Sequence, residues 1–242
     1  MAEYSTIRFE VGEDHVATIT LDRPDKRNAI SYELIDDLLA GLKQAAESSA
    51  HVLILTGAGT AFCAGMDTSQ FGGDLENRRR LVETSTGAFQ AVGRCPKPVL
   101  AAVNGPALAG GFALALLCDV RIASESATFG YPELPIGIPP SYASARAALS
   151  PAVARELCLT GRVIDAQEAL RLGVVTEVCR GGELRERTTA LAEKIAGMPQ
   201  SAQEETKRRI LIDGERSWGE LFAEEGRVFR EVLLGSEPDS AA

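Results

Sequence analysis

Residues 99–119, VLAAVNGPALAGGFALALLCD, constrain this 242-residue chain more than any other stretch. They form its most apolar run, broken in the middle by Asn104-Gly105-Pro106 and Ala109-Gly110-Gly111. Twenty apolar residues could span a membrane, but the Asn, Pro and Gly interruptions and the nearby Asp119 and Arg121 predict a buried strand, turn and helix instead. The strand falls on Val99–Val103, and the helix starts at the paired glycines. A helix start leaves backbone N–H groups without carbonyl partners, which makes it a place to hold an anion. If a carbonyl oxygen gains negative charge in a reaction, these donors can stabilise it.

On either side the pattern alternates between strand and helix. Strands are expected at 6–10, 15–21, 51–56, 120–123, 128–130 and 174–178. Ser31 offers an N-cap to a helix on which Leu34, Leu38, Leu42 and Ala46 recur at helical spacing. Further helices are expected at 75–94, 141–149, 153–159 and 166–172, and beyond residue 183 at 184–196, 202–212 and 218–234. Residues 57–73 read as a glycine-rich loop, and 131–140 (YPELPIGIPP) hold too many prolines for a helix or a central strand. Alternation followed by a helical final quarter predicts an α/β fold on a parallel sheet.

Several chemistries are excluded. A formal net charge of −9 argues against a nucleic-acid binder, because the field repels polyanions. The N-terminus is polar and acidic, unlike a signal peptide, and the five cysteines are odd in number and widely spaced, so a reducing cytoplasm is expected. Gly57-Ala58-Gly59 follows a strand but lacks the third glycine and the helix of a dinucleotide site. His15 and His51 support neither a metal site nor a catalytic triad, Cys63 reads as a packed thiol, and Arg78-Arg79-Arg80 and Lys207-Arg208-Arg209 read as solvated helix faces. Two glycine loops at strand ends remain, at Ala64-Gly65-Met66-Asp67 and Ala109-Gly110-Gly111. One backbone N–H from each could converge on a single oxygen.

The same residues carry a resemblance. Phe62-Cys63-Ala64-Gly65-Met66-Asp67, KPVLAAVNG from Lys97 to Gly105, ALAGG from Ala107 to Gly111, Cys118-Asp119, FGYPE from Phe129 to Glu133, Leu159-Thr160-Gly161, AQEA from Ala166 and LGVV from Leu172 follow one another in the order of the crotonase superfamily. This is the enoyl-CoA hydratase/isomerase family. The resemblance implies a crotonase (ClpP/crotonase-like) fold of stacked ββα units over residues 1–180. It also implies a helical region at 181–242 that builds a homotrimer or hexamer. The implied substrate is an acyl-CoA thioester, with no cofactor beyond the coenzyme A it carries. The thioester oxygen would bind the N–H groups of Met66 and Gly110. Coenzyme A contacts fall on Lys26, Arg27 and Ala29, whose two cations suit phosphates, and on Ala64, Gly65 and Asp67.

Acids and bases decide the reaction. Hydratases of the family use two glutamates, one in the helix after the oxyanion glycine and one in the F-G-x-P-E segment. The second is Glu133. The first position is Ala113, and no Asp or Glu occurs between Glu83 and Asp119. One carboxylate suffices to move a 3-enoyl-CoA double bond to the 2-position, and desolvation beside Pro132 and Leu134 should raise Glu133 toward neutrality. Ser141, eight residues on, replaces the aspartate of dienoyl isomerases. Enoyl-CoA hydratase-like chemistry, a carbon–carbon bond-forming synthase like carboxymethylproline synthase, and a non-catalytic acyl-CoA-binding protein are the alternatives. The SEPDSAA tail from Ser236 stops short of the helix that relatives carry.

Overall fold

A computed structural model describes residues 4–72, 74–214 and 219–234. The tail from Ser236, the start of the last predicted helix at Trp218, and Met1–Glu3 lie outside the described residues.

The main sheet runs β1 (Ile7–Val11), β2 (Val16–Leu21), β3 (Val52–Gly57), β4 (Val99–Val103), β6 (Val120–Ser124), β9 (Glu177–Cys179). The edge strand β1 is antiparallel to β2, and the remaining pairings are parallel. Parallel neighbours need crossovers, supplied by α1 (Tyr32–Glu47) between β2 and β3 and by α2 (Leu75–Gly93) between β3 and β4. Ser31 caps α1 by accepting from the Leu34 N–H, and Asp74 does the same for α2 through Asn77.

The central strands read as continuous apolar runs because both sheet faces are covered. Leu53, Leu55, Val99, Ala101 and Val103 join the main core with α1 and with α3 (Gly110–Leu117). Val52, Ile54, Leu100, Ala102 and Ile122 face the other way, under Leu184, Ala192 and Ala196 of α7 (Leu184–Ala196). That second cluster is built from alternate residues of the same strands.

A second sheet lies at the carboxyl ends of the main strands. It consists of β5 (Ala107–Leu108), β7 (Thr128–Gly130) and β8 (Val163–Asp165), with β5 parallel and β8 antiparallel to β7. Neither β5 nor β8 is evident from sequence, since strands of two or three residues show no periodicity. The helices α4 (Tyr142–Ala148), α5 (Pro151–Thr160) and α6 (Ala166–Arg171) follow, and then α8 (Gln200–Gly214) and α9 (Glu220–Leu234) after α7. The strand expected at 174–178 forms later, at β9, because the Val174 N–H turns back to the Ala169 carbonyl and closes α6. No described helix is long and apolar enough to cross a membrane.

The two basic runs are exposed as expected at Arg79, Arg80, Arg208 and Arg209 and depart from expectation at one residue each. Lys207 is buried, and its Nζ lies 2.7 Å from both oxygens of Asp119, which docks α8 against the start of β6 and of β4. Arg78 donates to the Leu233 carbonyl at the end of α9, and Arg80 lies over the Tyr32 ring. His15 and His51 stack with ring centroids 4.6 Å apart, and their Nδ1 atoms meet the Ser49 and Ala196 carbonyls.

Candidate active site

Two loops meet at the carboxyl ends of β3 and β4. The Ile30 N–H donates to the Gly65 carbonyl and the Asp67 N–H to the Ile30 carbonyl, so Ile30 bridges Met66 in parallel register. In such a bridge the N–H of the central residue faces away from its partner. The Met66 N–H accordingly makes no backbone hydrogen bond among the described residues. From the other loop, the Leu108 N–H bonds the Cys63 carbonyl, and Cys63 bridges Ala107. Gly110 opens α3, so its N–H has no carbonyl one turn earlier.

The loops touch at two glycines. A Cβ on Gly65, whose φ is +98°, would lie 2.8 Å from the Ala109 Cβ and 3.3 Å from the Gly110 nitrogen. A Cβ on Gly111 would lie 2.1 Å from the Cys63 carbonyl oxygen, so only glycine lets the helix start come this close. Ala109, at φ 51° and ψ −124°, holds a conformation that residues with a Cβ rarely adopt. Cys63 beneath is wholly buried, and burial pushes its thiol up to about 12, which makes it packing rather than a nucleophile.

The amide corner opens into a cavity of about 480 Å³. Met66, Gly110, Ala113 and Glu133 all line it, and Phe71, Phe89, Ile136, Ile138 and Tyr142 give it apolar walls. Glu133 is half-buried, with its Oε2 enclosed and without a hydrogen-bond partner among the described residues. Desolvation raises its pKa from 4.5 to about 7, against one hydrogen bond from its own backbone. Its backbone carbonyl accepts from Ile136 and Ile138, which winds the proline-rich segment into a tight turn. Ala113 puts a methyl group on the wall one helical turn from Gly110.

Packing fixes the relation of the carboxyl to the amides. The Ala109 N–H donates to the Gly130 carbonyl at 2.9 Å, three residues before Glu133. Phe112 of α3 packs on Tyr131 with centroids 5.0 Å apart and on Phe129 at 5.7 Å, all three fully buried.

Among the expected coenzyme A residues, Lys26 and Arg27 are exposed on the turn beside this corner, and the Ala64 N–H donates to the Arg27 carbonyl. Ala29, Ala64 and Gly65 lie in the same stitched loops. Asp67 is occupied within the protein: it pairs with Arg23 at 3.0 Å and accepts from Ser69. Burial works to raise its carboxyl, but these hydrogen bonds bring it below the ordinary value.

Four positioning residues escaped the sequence reading. Arg23 also donates to the Ala29 carbonyl. Asn28, fully buried at φ 55°, donates to the Ala58 and Ala61 carbonyls, and Asn104 bonds the same loop. Glu225 on α9 lines the cavity, as do Phe222 and Phe229. A signal was present for the last: Glu225 sits on the stripe Phe222, Gly226, Phe229 and Leu233, where an apolar residue is expected.

A crotonase fold with an amide pair and a carboxyl around one cavity defines the class of protein. The sequence profile described as enoyl-CoA hydratase/isomerase matches residues 12–233, and the chain belongs to that family. It is 36% identical to a Rhizobium meliloti protein named "Probable enoyl-CoA hydratase", over 95% of this chain and 90% of that one. Among solved structures it resembles an enoyl-CoA hydratase/isomerase from Xanthobacter autotrophicus Py2, with a TM-score of 0.89 and 31% identity over 98% of this chain and 90% of that one. An enoyl-CoA hydratase from Bacillus anthracis gives 0.82 and 34%, over 96% and 92%.

Proposed function

We propose that this enzyme shifts the double bond of a 3-enoyl-CoA to the 2-position, using Glu133 as its single acid–base group. The observation that carries this reading is the unpartnered Glu133 Oε2 in a cavity that Met66, Gly110 and Ala113 also line. The ionised Glu133 removes a proton from C2, and the electron pair moves onto the thioester oxygen. The two amides stabilise that enolate. The same carboxyl returns the proton to C4, the electrons fall back, and the double bond lies between C2 and C3. No second proton donor is needed, and a carboxyl titrating near 7 suits both transfers.

Lys26 and Arg27 meet the coenzyme A phosphates in this reading, and the backbone of Ala29, Ala64, Gly65 and Asp67 frames the nucleotide. Assembly as a homotrimer or hexamer is part of the same proposal, read by light scattering. Mixing the protein with 3-hexenoyl-CoA tests the chemistry: growth of conjugated-enoyl absorbance supports it, and an unchanged spectrum rejects it. The names of the relatives favour a second reading, water addition. Loss of absorbance from a 2-enoyl-CoA would establish that one instead.

A further inference from the structure

The segment that carries Glu133 is anchored unequally at its two ends. Its start leaves β7, with Tyr131 buried and Gly130 bonded to Ala109. Pro132, Pro135, Pro139 and Pro140 then deny it ladder hydrogen bonds, and its backbone bonds up to Ile138 close only local turns. The far end at Ser141 is held by a side chain from another helix. One Glu225 oxygen accepts from the Ser141 hydroxyl at 2.8 Å and the other from the Ala143 N–H at 2.6 Å. The Tyr131 hydroxyl closes the loop of contacts by donating to the Ser141 carbonyl at 3.3 Å.

Glu225 is an expensive residue to place here. It is half-buried among Phe222, Phe229 and Tyr142, and among the described residues no Lys or Arg pairs with it. Burial raises its carboxyl above the ordinary value despite the bonds from Ala143 and Ser141. Its helix roofs the cavity and is otherwise tied at the Leu233 carbonyl, by the Arg230–Glu83 pair at 3.8 Å and by the edge-on contact of Phe229 with Phe71.

We propose that Glu225 is a positioning residue, anchoring the far end of the Glu133 segment to the helix that roofs the cavity and so holding Glu133 in place and dry. This rests on Glu133 being the acid–base group. Other titratable groups near Glu133 are Tyr131 on its own segment and Cys158 on α5, and Tyr142 and Glu224 line the same cavity. Burial, rather than the charge of Glu225, is what raises Glu133.

Anchor and charge are separated by two substitutions. Glu225→Gln keeps an acceptor for Ala143 and a partner for Ser141, whereas Glu225→Ala keeps neither. Turnover of 3-hexenoyl-CoA gives one readout. Carboxyl 13C NMR gives the other, following the Glu133 titration without substrate, with its signal assigned by difference from Glu133→Gln. The expected result for Glu225→Ala is a kcat lower by about 10- to 100-fold, the scale of a misplaced catalytic group. Its Glu133 midpoint should fall from about 7 toward 4.5 as water enters. Glu225→Gln should stay close to wild type in both, and Ser141→Ala should fall between. A folded Glu225→Ala with wild-type kcat and midpoint overturns the proposal, as does a Glu225→Gln equally damaged. If Glu225→Ala does not fold, an unchanged Ser141→Ala overturns it. Wild type inert toward 3-hexenoyl-CoA would sink the isomerase reading alone, and the NMR titration would still decide the role of Glu225.

Discussion

The two halves of this site are built from different materials. The amide corner is backbone: the Met66 and Gly110 N–H groups are placed by glycines at 65 and 111 and by bonds between the loops. The Glu133 half is a side chain on a proline-rich segment, held by one buried tyrosine and by a carboxylate from a distant helix. A backbone donor can be disturbed only by moving the chain. A side-chain base can be removed without moving anything, and its pKa follows the water around it.

The largest effect should come from removing the base alone. Glu133→Gln is expected to lower turnover by on the order of 10²–10⁴-fold or more while acyl-CoA affinity, measured by calorimetry, stays near wild type. Retained turnover would remove Glu133 from the chemistry. Damage to the other half should look different. Gly65→Ala drives a Cβ against Ala109 and Leu108, and kcat should fall by on the order of 10²–10³-fold with the Glu133 titration still near 7. A shifted titration would mean that the two halves are not separable.

The pH dependence sharpens the contrast further. The base must be ionised, so log kcat/KM should rise with pH, bend near 7 and stay level, and a second, falling limb would call for another acid. Stability should move in the opposite direction. The folded chain keeps the Glu133 proton to about pH 7, whereas the unfolded chain releases it near 4.5. Wild type therefore loses stability as pH rises through that window. Glu133→Gln does not, so its Tm advantage should open between about pH 4.5 and 7 and then hold constant. The smallest effect is expected at the exposed turn. Lys26→Ala or Arg27→Ala should each weaken coenzyme A binding about two- to fivefold, and high salt should erase the difference.

The amide corner was legible in the sequence because its signals are local. A strand of Val99, Ala101 and Val103 followed by paired glycines points to a close backbone approach, and Gly111 makes one against the Cys63 carbonyl. Glu133 and Ala113 stood out through the family resemblance, one as the acid of the FGYPE segment and the other where relatives carry a glutamate. Glu225 did not, although a carboxylate on an apolar stripe marks it, because its partners Ser141 and Ala143 lie more than eighty residues away. Lys207 was not legible as a buried cation for the same reason: whether a charge faces solvent or another charge depends here on Asp119, which sequence spacing does not bring near.

Sequence alone therefore determined the parallel α/β architecture, the helix start with free N–H groups, and the lone carboxylate of the FGYPE segment. Periodicity, glycine sterics and residue chemistry act over a few positions and can be read in order. Only the tertiary structure decided that Met66 and Gly110 face one cavity with Glu133, and that α9 roofs it. Only there does Glu133 lose its hydration. Desolvation and convergence are properties of what surrounds a group, and most of what surrounds Glu133 comes from elsewhere in the chain.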